Sequence, residues 1–214
     1  MKFNTYLFDF DGTLVDSMPT FVSVMLRILD ENKITYSGDI VKIITPLGYG
    51  GTAEYFIKLG LDKDRDEIVS IMKAYALEEY KYSIGAKTNV INVLKKLKEA
   101  GTSLNILTAS PHSMLDCCLK RLGIYELFTN VWSCDDFNTT KANPEIYKLA
   151  AEKIGKPVEK ILFLDDNYNA CKTAKQAGMG VCGVYDSSSE DYICDMKDIT
   201  DYYINDFSEL LEIK

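Results

Sequence analysis

The sequence predicts an α/β fold, a doubly wound parallel sheet with a smaller helical region inserted after its first strand. From about residue 86 onward short apolar runs alternate with amphipathic helices, the βαβ order that lays strands parallel. Residues 16 to 85 carry only helical periodicity. At 214 residues the chain can bury one core and a modest insert. The expected division is therefore 1–16 with 86–214 for the sheet-bearing core and 17–85 for the helical insert.

The first strand is the apolar run Tyr6-Leu7-Phe8, which meets a glycine turn at Asp9-Phe10-Asp11-Gly12-Thr13. In the insert, Phe21, Val24, Met25, Ile28 and Leu29 fall on one helical face, and Ile68, Ile71, Met72, Tyr75 and Ala76 on another. A helix through Val90, Val93, Leu94 and Leu97 ends at Gly101, and the strand Ser103 to Leu107 follows. Next come a helix through Leu115, Cys118, Leu119 and Leu122 and a short strand from Val131 to Ser133. Asn143 as N-cap, Pro144 at the first position and Gly155 past the end frame a helix whose core face is Ile146, Leu149, Ala150 and Ile154. Strands are expected at Ile161 to Leu164, Gly180 to Val184 and Tyr202 to Ile204, with a helix through Ala177 and a terminal helix at Phe207 to Leu211.

Composition excludes several classes of function. A net charge of -8, from 24 basic and 32 acidic residues, argues against a nucleic-acid surface. No apolar run approaches the roughly 20 residues of a membrane span, and residues 1 to 5 lack the apolar stretch of a signal peptide, so a cytoplasmic protein is expected. The six cysteines show no CxxC spacing, which suggests neither a zinc site nor a redox pair. With a single histidine, His112, there is no Ser/His/Asp or histidine-based metal constellation to consider.

Acids, hydroxyls and one lysine instead gather at the carboxyl ends of the expected strands. Asp9 and Asp11 follow the first strand, Thr108 and Ser110 the second, Lys141 lies in the loop after the third, and Asp165-Asp166 follow the fourth. In an open parallel sheet those ends share one edge, where ligands bind. Two unit charges 4 Å apart repel by about 4 kcal/mol at an effective dielectric of 20, so clustered carboxylates need a cation. Oxygen ligands without His or Cys select a hard ion such as Mg²⁺, which prefers one or two carboxylates, waters and a substrate phosphate oxygen.

These segments also spell a known set of motifs. The run from Asp9 to Ser17 closely resembles the first motif of the haloacid dehalogenase superfamily. Ile106-Leu107-Thr108 resembles the second, Lys141-Ala142-Asn143-Pro144-Glu145-Ile146-Tyr147 the third, and Phe163-Leu164-Asp165-Asp166-Asn167 with Ala177-Gly178-Met179 the fourth. The four occur in order and span essentially the whole chain, nearest in pattern to the phosphoglycolate phosphatase and beta-phosphoglucomutase subgroup.

The resemblance implies a Rossmann-like core with the insert as a cap, and a Mg²⁺-dependent phosphatase acting on a small phosphate monoester. It makes Asp9 the nucleophile that takes up the phosphoryl group. Asp11 becomes the acid that protonates the leaving alkoxide and the base for the hydrolytic water. It has Thr108 hydrogen-bond a phosphoryl oxygen, Lys141 offset negative charge, and Asp166 hold the metal with Asp9 and the Asp11 carbonyl. Asp165 stands where glycine is common, so either acid of the pair is a candidate ligand, and Ala170 replaces a further acid found in many relatives. Ser110 is a further candidate for substrate binding. In the insert, Leu47-Gly48-Tyr49-Gly50-Gly51-Thr52 is expected to be a substrate-facing loop with Tyr49 and Thr52 as probing groups, without the arginine of sugar-phosphate relatives. Neither nucleic acid nor membrane is an expected partner, and the chain is expected to be a monomer or homodimer.

Other readings fare less well. Gly48 to Ala53 fits G-x-G-x-x-A after the apolar Val41 to Ile44, but the second strand of a dinucleotide-binding unit is missing. Asp9 to Asp16 lacks the entering helix and glycine placement of a calcium loop. A dehalogenase needs no acid at Asp11. A phosphomutase would use the same two aspartates and pass the phosphoryl group to a sugar hydroxyl.

Overall fold

The structure, a computed structural model, describes residues 3–213; residues 1, 2 and 214 of the expected core lie outside it. Six parallel strands form one sheet: β1 (Thr5–Phe8), β2 (Ser103–Thr108), β3 (Asn130–Ser133), β4 (Leu162–Asp165), β5 (Gly180–Val184) and β6 (Tyr202–Ile204). Their order is β3-β2-β1-β4-β5-β6, the doubly wound order whose direction of winding reverses between β1 and β4. All six strands lie where the sequence places them, within a residue at each end, and the α/β expectation holds. The central β1 and β4 are buried along their whole length, which is why they read as continuous apolar runs rather than alternating ones.

Register is defined residue by residue: Phe8 faces Ile106 of β2 on one side and Leu164 of β4 on the other. A buried amide also links three strands. Asn105 Nδ2 donates to the Tyr6 carbonyl at 3.1 Å, while its Oδ1 accepts from Asn130 Nδ2 at 2.7 Å.

The chain divides into two compact units, Met1–Asp16 with Gly85–Lys214, and Ser17–Ile84. The second unit holds α1 (Met18–Glu31), α2 (Ile40–Ile44), α3 (Gly48–Lys58) and α4 (Arg65–Tyr82). Its core joins Met25, Ile28 and Leu29 of α1 to Ile40 and Ile44, to Ala53 and Phe56, and to Ile68 and Met72. Burying a side chain such as Phe56 contributes about 1.5 to 3 kcal/mol, which outweighs the poor helix propensity of Gly50 and Gly51 beside it.

That balance corrects the expected loop at Leu47 to Thr52, most of which is the first turn of α3. Gly51 is there for space, since a Cβ on it would sit 2.9 Å from Leu47 Cβ, whereas a Cβ on Gly50 would meet only the movable tip of the exposed Arg65 side chain. Val41 to Ile44 is likewise helical, so no strand precedes the glycines and the dinucleotide reading fails.

The sheet-bearing unit adds α5 (Val90–Glu99), α6 (His112–Arg121), α7 (Glu145–Ile154), α8 (Tyr168–Ala177) and α9 (Ile193–Ile199). Val90, Val93, Leu94 and Leu97 are the buried face of α5, as the spacing predicts. In α7 the buried face is Ile146, Tyr147, Ala150 and Ala151, with Leu149 and Ile154 only partly covered. This rotation follows from Tyr147, whose ring packs edge-on against Phe163 at 5.0 Å. Pro144 is the capping residue of α7, although Asn143 Oδ1 does accept from the Glu145 amide at 3.0 Å. The terminal segment Phe207–Glu212 is a 3-10 helix, and Ser187–Tyr192 with α9 was not foreseen, because α9 buries only Met196 and shows no periodic face. No described helix is long and apolar enough to cross a membrane.

Candidate active site

The site lies at the winding reversal, where β1 and β4 run side by side and end together. The Asp9 amide donates to the Leu164 carbonyl at 2.8 Å, extending the ladder one step so that the side chain of Asp9 emerges at the edge. The chain then turns tightly, with Leu14 and Val15 both donating to the Phe10 carbonyl and Gly12 to the Val15 carbonyl. Gly12 has φ +71°, and a Cβ there would meet the Asp166 carboxylate at 2.6 to 2.8 Å. Only glycine supplies both the left-handed backbone and the room for that carboxylate.

Lys141 enters from the loop before α7 and is largely covered. Its Nζ lies 2.7 Å from Asp9 Oδ1 and 2.8 Å from Asp165 Oδ2. The first contact is a close ion pair, and Asp9 Oδ1 has the lysine ammonium as its partner. Lys141 does hydrogen-bond Asp165, whose other oxygen accepts from the Asn167 amide at 2.8 Å. Both oxygens of Asp165 are thus engaged, one aiming the lysine and one fixing the start of α8. Capping of α8 falls to Asn167, which accepts from the Asn169 and Ala170 amides. Tyr147 hydroxyl donates toward the carbonyls of Lys141 and Ala170, tying the lysine loop to α8.

Asp166 is buried and accepts from Thr13 Oγ1 at 3.0 Å, while its own amide donates to that hydroxyl oxygen at 3.1 Å. Ser189 Oγ approaches its second oxygen at 3.4 Å. Asp9, Asp165 and Asp166 together offer carboxylate oxygens that all lie within 4.8 Å of one another. At the end of β2, Thr108 Oγ1 accepts from the Ser110 amide at 3.1 Å, and Ser110 Oγ donates to Asp11 Oδ2. The Ser110 amide thus takes one lone pair of the Thr108 hydroxyl and helps fix its rotamer. Ser110 Oγ thus points its proton at the Asp11 carboxylate in this structure.

Electrostatics follow from this crowding. Burial, and then the charge of Asp9, push the Asp165 carboxyl up to about 7 despite Lys141 beside it. Burial, then Asp165, Asp9 and Asp186, push Asp166 well above the usual carboxylate range. Burial works against the Lys141 ammonium, but the charges of Asp165 and Asp9 more than offset it and hold its proton firmly. The cluster is short of positive charge by the measure of its own ionisation.

In the helical unit, Thr52 is fully buried and its hydroxyl donates to the Ile44 carbonyl. The Tyr49 ring packs against Phe21 at 5.0 Å between centroids. Thr52 is thus a packing residue rather than a group open to a substrate, because α3 turns it inward. Sequence reasoning missed Thr13, Tyr147, Lys87, Asp186 and Ser189 as parts of the site's frame. Thr13 and Tyr147 stand inside the recognised motifs, whereas Lys87 and Ser189 carry no local signal.

Comparison with known proteins now decides the family. A profile described as haloacid dehalogenase-like hydrolase matches residues 6–184. The chain belongs to the haloacid dehalogenase-like hydrolases. Among relatives of this hydrolase is the pyrophosphatase PpaX of Bacillus velezensis, 30% identical over 179 residues, 83% of this chain and 81% of that protein. A structure described as a predicted phosphoglycolate phosphatase from Haemophilus somnus superposes with a TM-score of 0.83 at 22% identity, covering 99% of this chain and 98% of the other. YfnB from Bacillus subtilis, described as a HAD-hydrolase and bound to magnesium, superposes with a TM-score of 0.82 at 18% identity over 99% and 98% of the two chains. The resemblance read from the four motifs is borne out, and this dehalogenase-like hydrolase is an enzyme.

Proposed function

We propose that the chain is a Mg²⁺-dependent phosphatase that releases phosphate from a small phosphorylated metabolite through a phosphoryl group carried on Asp9. The observation that carries this reading is Lys141, buried between Asp9 and Asp165 with Asp166 at the same edge. Such a group of acids with a cation is suited to an anion that must be both held and attacked.

The donor set fits a hard divalent ion. It is all oxygen, and the buried carboxylates of Asp9, Asp165 and Asp166 bring ligand atoms within 4.8 Å of one another, with a single lysine to offset them. Asp9 and Asp166 would hold Mg²⁺, with the Asp11 carbonyl by family resemblance, and Asp165 would serve the lysine. When bound, the ion supplies charge that offsets the acids and the phosphoryl oxygens.

The chain's own groups do the rest. A carboxylate oxygen of Asp9 forms a bond to phosphorus as the ester P–O bond breaks, and the leaving alkoxide takes a proton from Asp11. Water then attacks the phosphorus of the aspartyl-phosphate, gives its proton to Asp11, and frees phosphate and the Asp9 carboxylate. Ser110 orients Asp11, Thr108 donates its free proton to a phosphoryl oxygen, and Lys141 stays charged throughout. The helical unit 17–84 is the proposed cap. The six cysteines form no disulfide among the described residues, which suits a reducing, cytoplasmic setting.

The direct test is a phosphate-release panel of phosphoglycolate, sugar phosphates, nucleoside monophosphates and pyrophosphate, the last because of the pyrophosphatase relative. Release from at least one, lost on chelation and restored by Mg²⁺, is the expected result. Transfer to a sugar hydroxyl without free phosphate would make the chain a mutase, and inactivity on every compound would overturn the proposal.

A second expectation concerns pH. Asp165 ionises near 7 in the folded chain against an ordinary value of 3.8, and Asp166 is raised as well. Folding therefore takes up protons in this window, and the stability owed to the protonated acids is full below about 4 and lost as pH rises through about 7. A cation that neutralises the ionised pair restores it. Added Mg²⁺ is expected to raise Tm far more at about pH 8 than at about pH 5. A metal-induced shift that does not vary with pH would remove Asp166 from the metal site.

A further inference from the structure

Asp166 is gripped from two segments far apart in sequence, and one lysine joins them. On one side is the turn after β1, where Gly12 lies against the carboxylate and Thr13 exchanges hydrogen bonds with it. On the other is the segment after β5, where Ser189 approaches its second oxygen. Lys87, just before α5, spans the two: its Nζ donates to the Gly12 carbonyl at 2.7 Å, to the Tyr185 carbonyl at 2.5 Å and to Asp186 Oδ2 at 3.0 Å. An ammonium has three protons, and all three are used.

The anchorage of this lysine is itself built in. The Lys87 amide donates to the Leu14 carbonyl and its neighbour Ala86 bridges to Val15, so the backbone is fixed beside the turn it serves. Asp186 is buried, and Oδ1 accepts from both the amide and the hydroxyl of Ser188, holding the short turn that presents Ser189.

We infer that Lys87 is a positioning residue for the metal site: by tying the Gly12 carbonyl to the Tyr185-Asp186 corner it sets the cradle in which Asp166 meets the ion. This rests on the metal reading proposed above. It assigns Lys87 no contact with substrate or with the reacting atoms.

Two physical accounts of Lys87 give opposite signs. If it acted only as a nearby positive charge, removing it would leave the acidic cluster more negative and tighten binding of a divalent cation. If it acts as a clamp, removing it lets the turn and the corner separate and weakens binding. Asp186 reverses the comparison. The Asp186→Asn variant removes a negative charge and one of the three acceptors of Lys87 but leaves both carbonyl bonds, so a pure charge effect predicts weaker binding and the clamp a much smaller loss than Lys87→Met gives.

The experiment is titration of the purified chain with Mn²⁺, followed by the electron paramagnetic resonance of the free ion, alongside the Mg²⁺ dependence of phosphate release. Lys87→Met is expected to weaken Mn²⁺ binding at least tenfold, with Asp186→Asn within about threefold of wild type. Because Lys87→Met strands a buried carboxylate, the double variant Lys87→Met/Asp186→Asn is measured too, and it should bind as weakly as the single one. Binding by either lysine variant as tight as wild type, or tighter, would overturn the clamp while leaving the metal site intact. Failure of the wild-type chain itself to bind Mn²⁺ would instead overturn the metal reading, and the clamp with it.

Discussion

Asp9→Asn is expected to lower phosphate release by on the order of 10⁴-fold or more, because an amide oxygen cannot carry the phosphoryl group. The substitution preserves volume, and Lys141 retains its hydrogen bond to Asp165, so the fold should survive. Two measurements separate loss of the nucleophile from loss of structure. Thermal unfolding should show a folded variant, and mass spectrometry of acid-quenched protein should find a phosphoryl group on Asp9 of the wild type alone. Substantial Mg²⁺-dependent turnover in the variant would remove Asp9 from the reaction.

Lys141→Met should damage both stability and activity. The ammonium lies 2.7 and 2.8 Å from two buried carboxylates, and removing one partner from a buried ion cluster costs about 3 to 5 kcal/mol. Loss of a buried group that offsets charge on the reacting phosphoryl should also lower turnover by about 10² to 10³. The stability loss has a direction in pH. Without the lysine the Asp165 carboxyl, already pushed up to about 7, must climb further, so protonation in mild acid relieves the defect. Urea unfolding should therefore show the full loss at about pH 8 and a smaller one at about pH 5. Equal stability of variant and wild type at the higher pH would show that the ammonium does not hold these acids together.

Much of this arrangement was legible in the sequence because its parts are local. Strands such as Tyr6 to Phe8 and Ile161 to Leu164 stand out as apolar runs ended by acids, and the βαβ order forces their ends onto one edge. What stayed hidden depends on contacts between distant segments. The glycines at 50 and 51 read as a loop because the reason for glycine at 51 is the approach of Leu47 Cβ, which only the packed helix reveals. Asp165 and Asp166 are adjacent and chemically identical, and only their partners, Lys141 and Asn167 for one, Thr13 and Ser189 for the other, tell them apart. The rotation of α7 is set by one ring, Tyr147 on Phe163, that periodicity alone cannot weigh against Leu149.

The buried amide of Asn105 has a consequence for where the reacting groups end up. Strands greasy on both faces have little to resist sliding past one another, since a one-residue slip still buries apolar side chains. Asn105 resists it from the middle of β2: a slip would pull its amide off the Tyr6 and Asn130 oxygen and nitrogen and leave it stranded in the interior. A single step along a strand is about 3.3 Å, more than the 2.8 Å between Lys141 Nζ and Asp165 Oδ2. An interior polar latch thus keeps Thr108, at the end of β2, level with the aspartates that end β1 and β4.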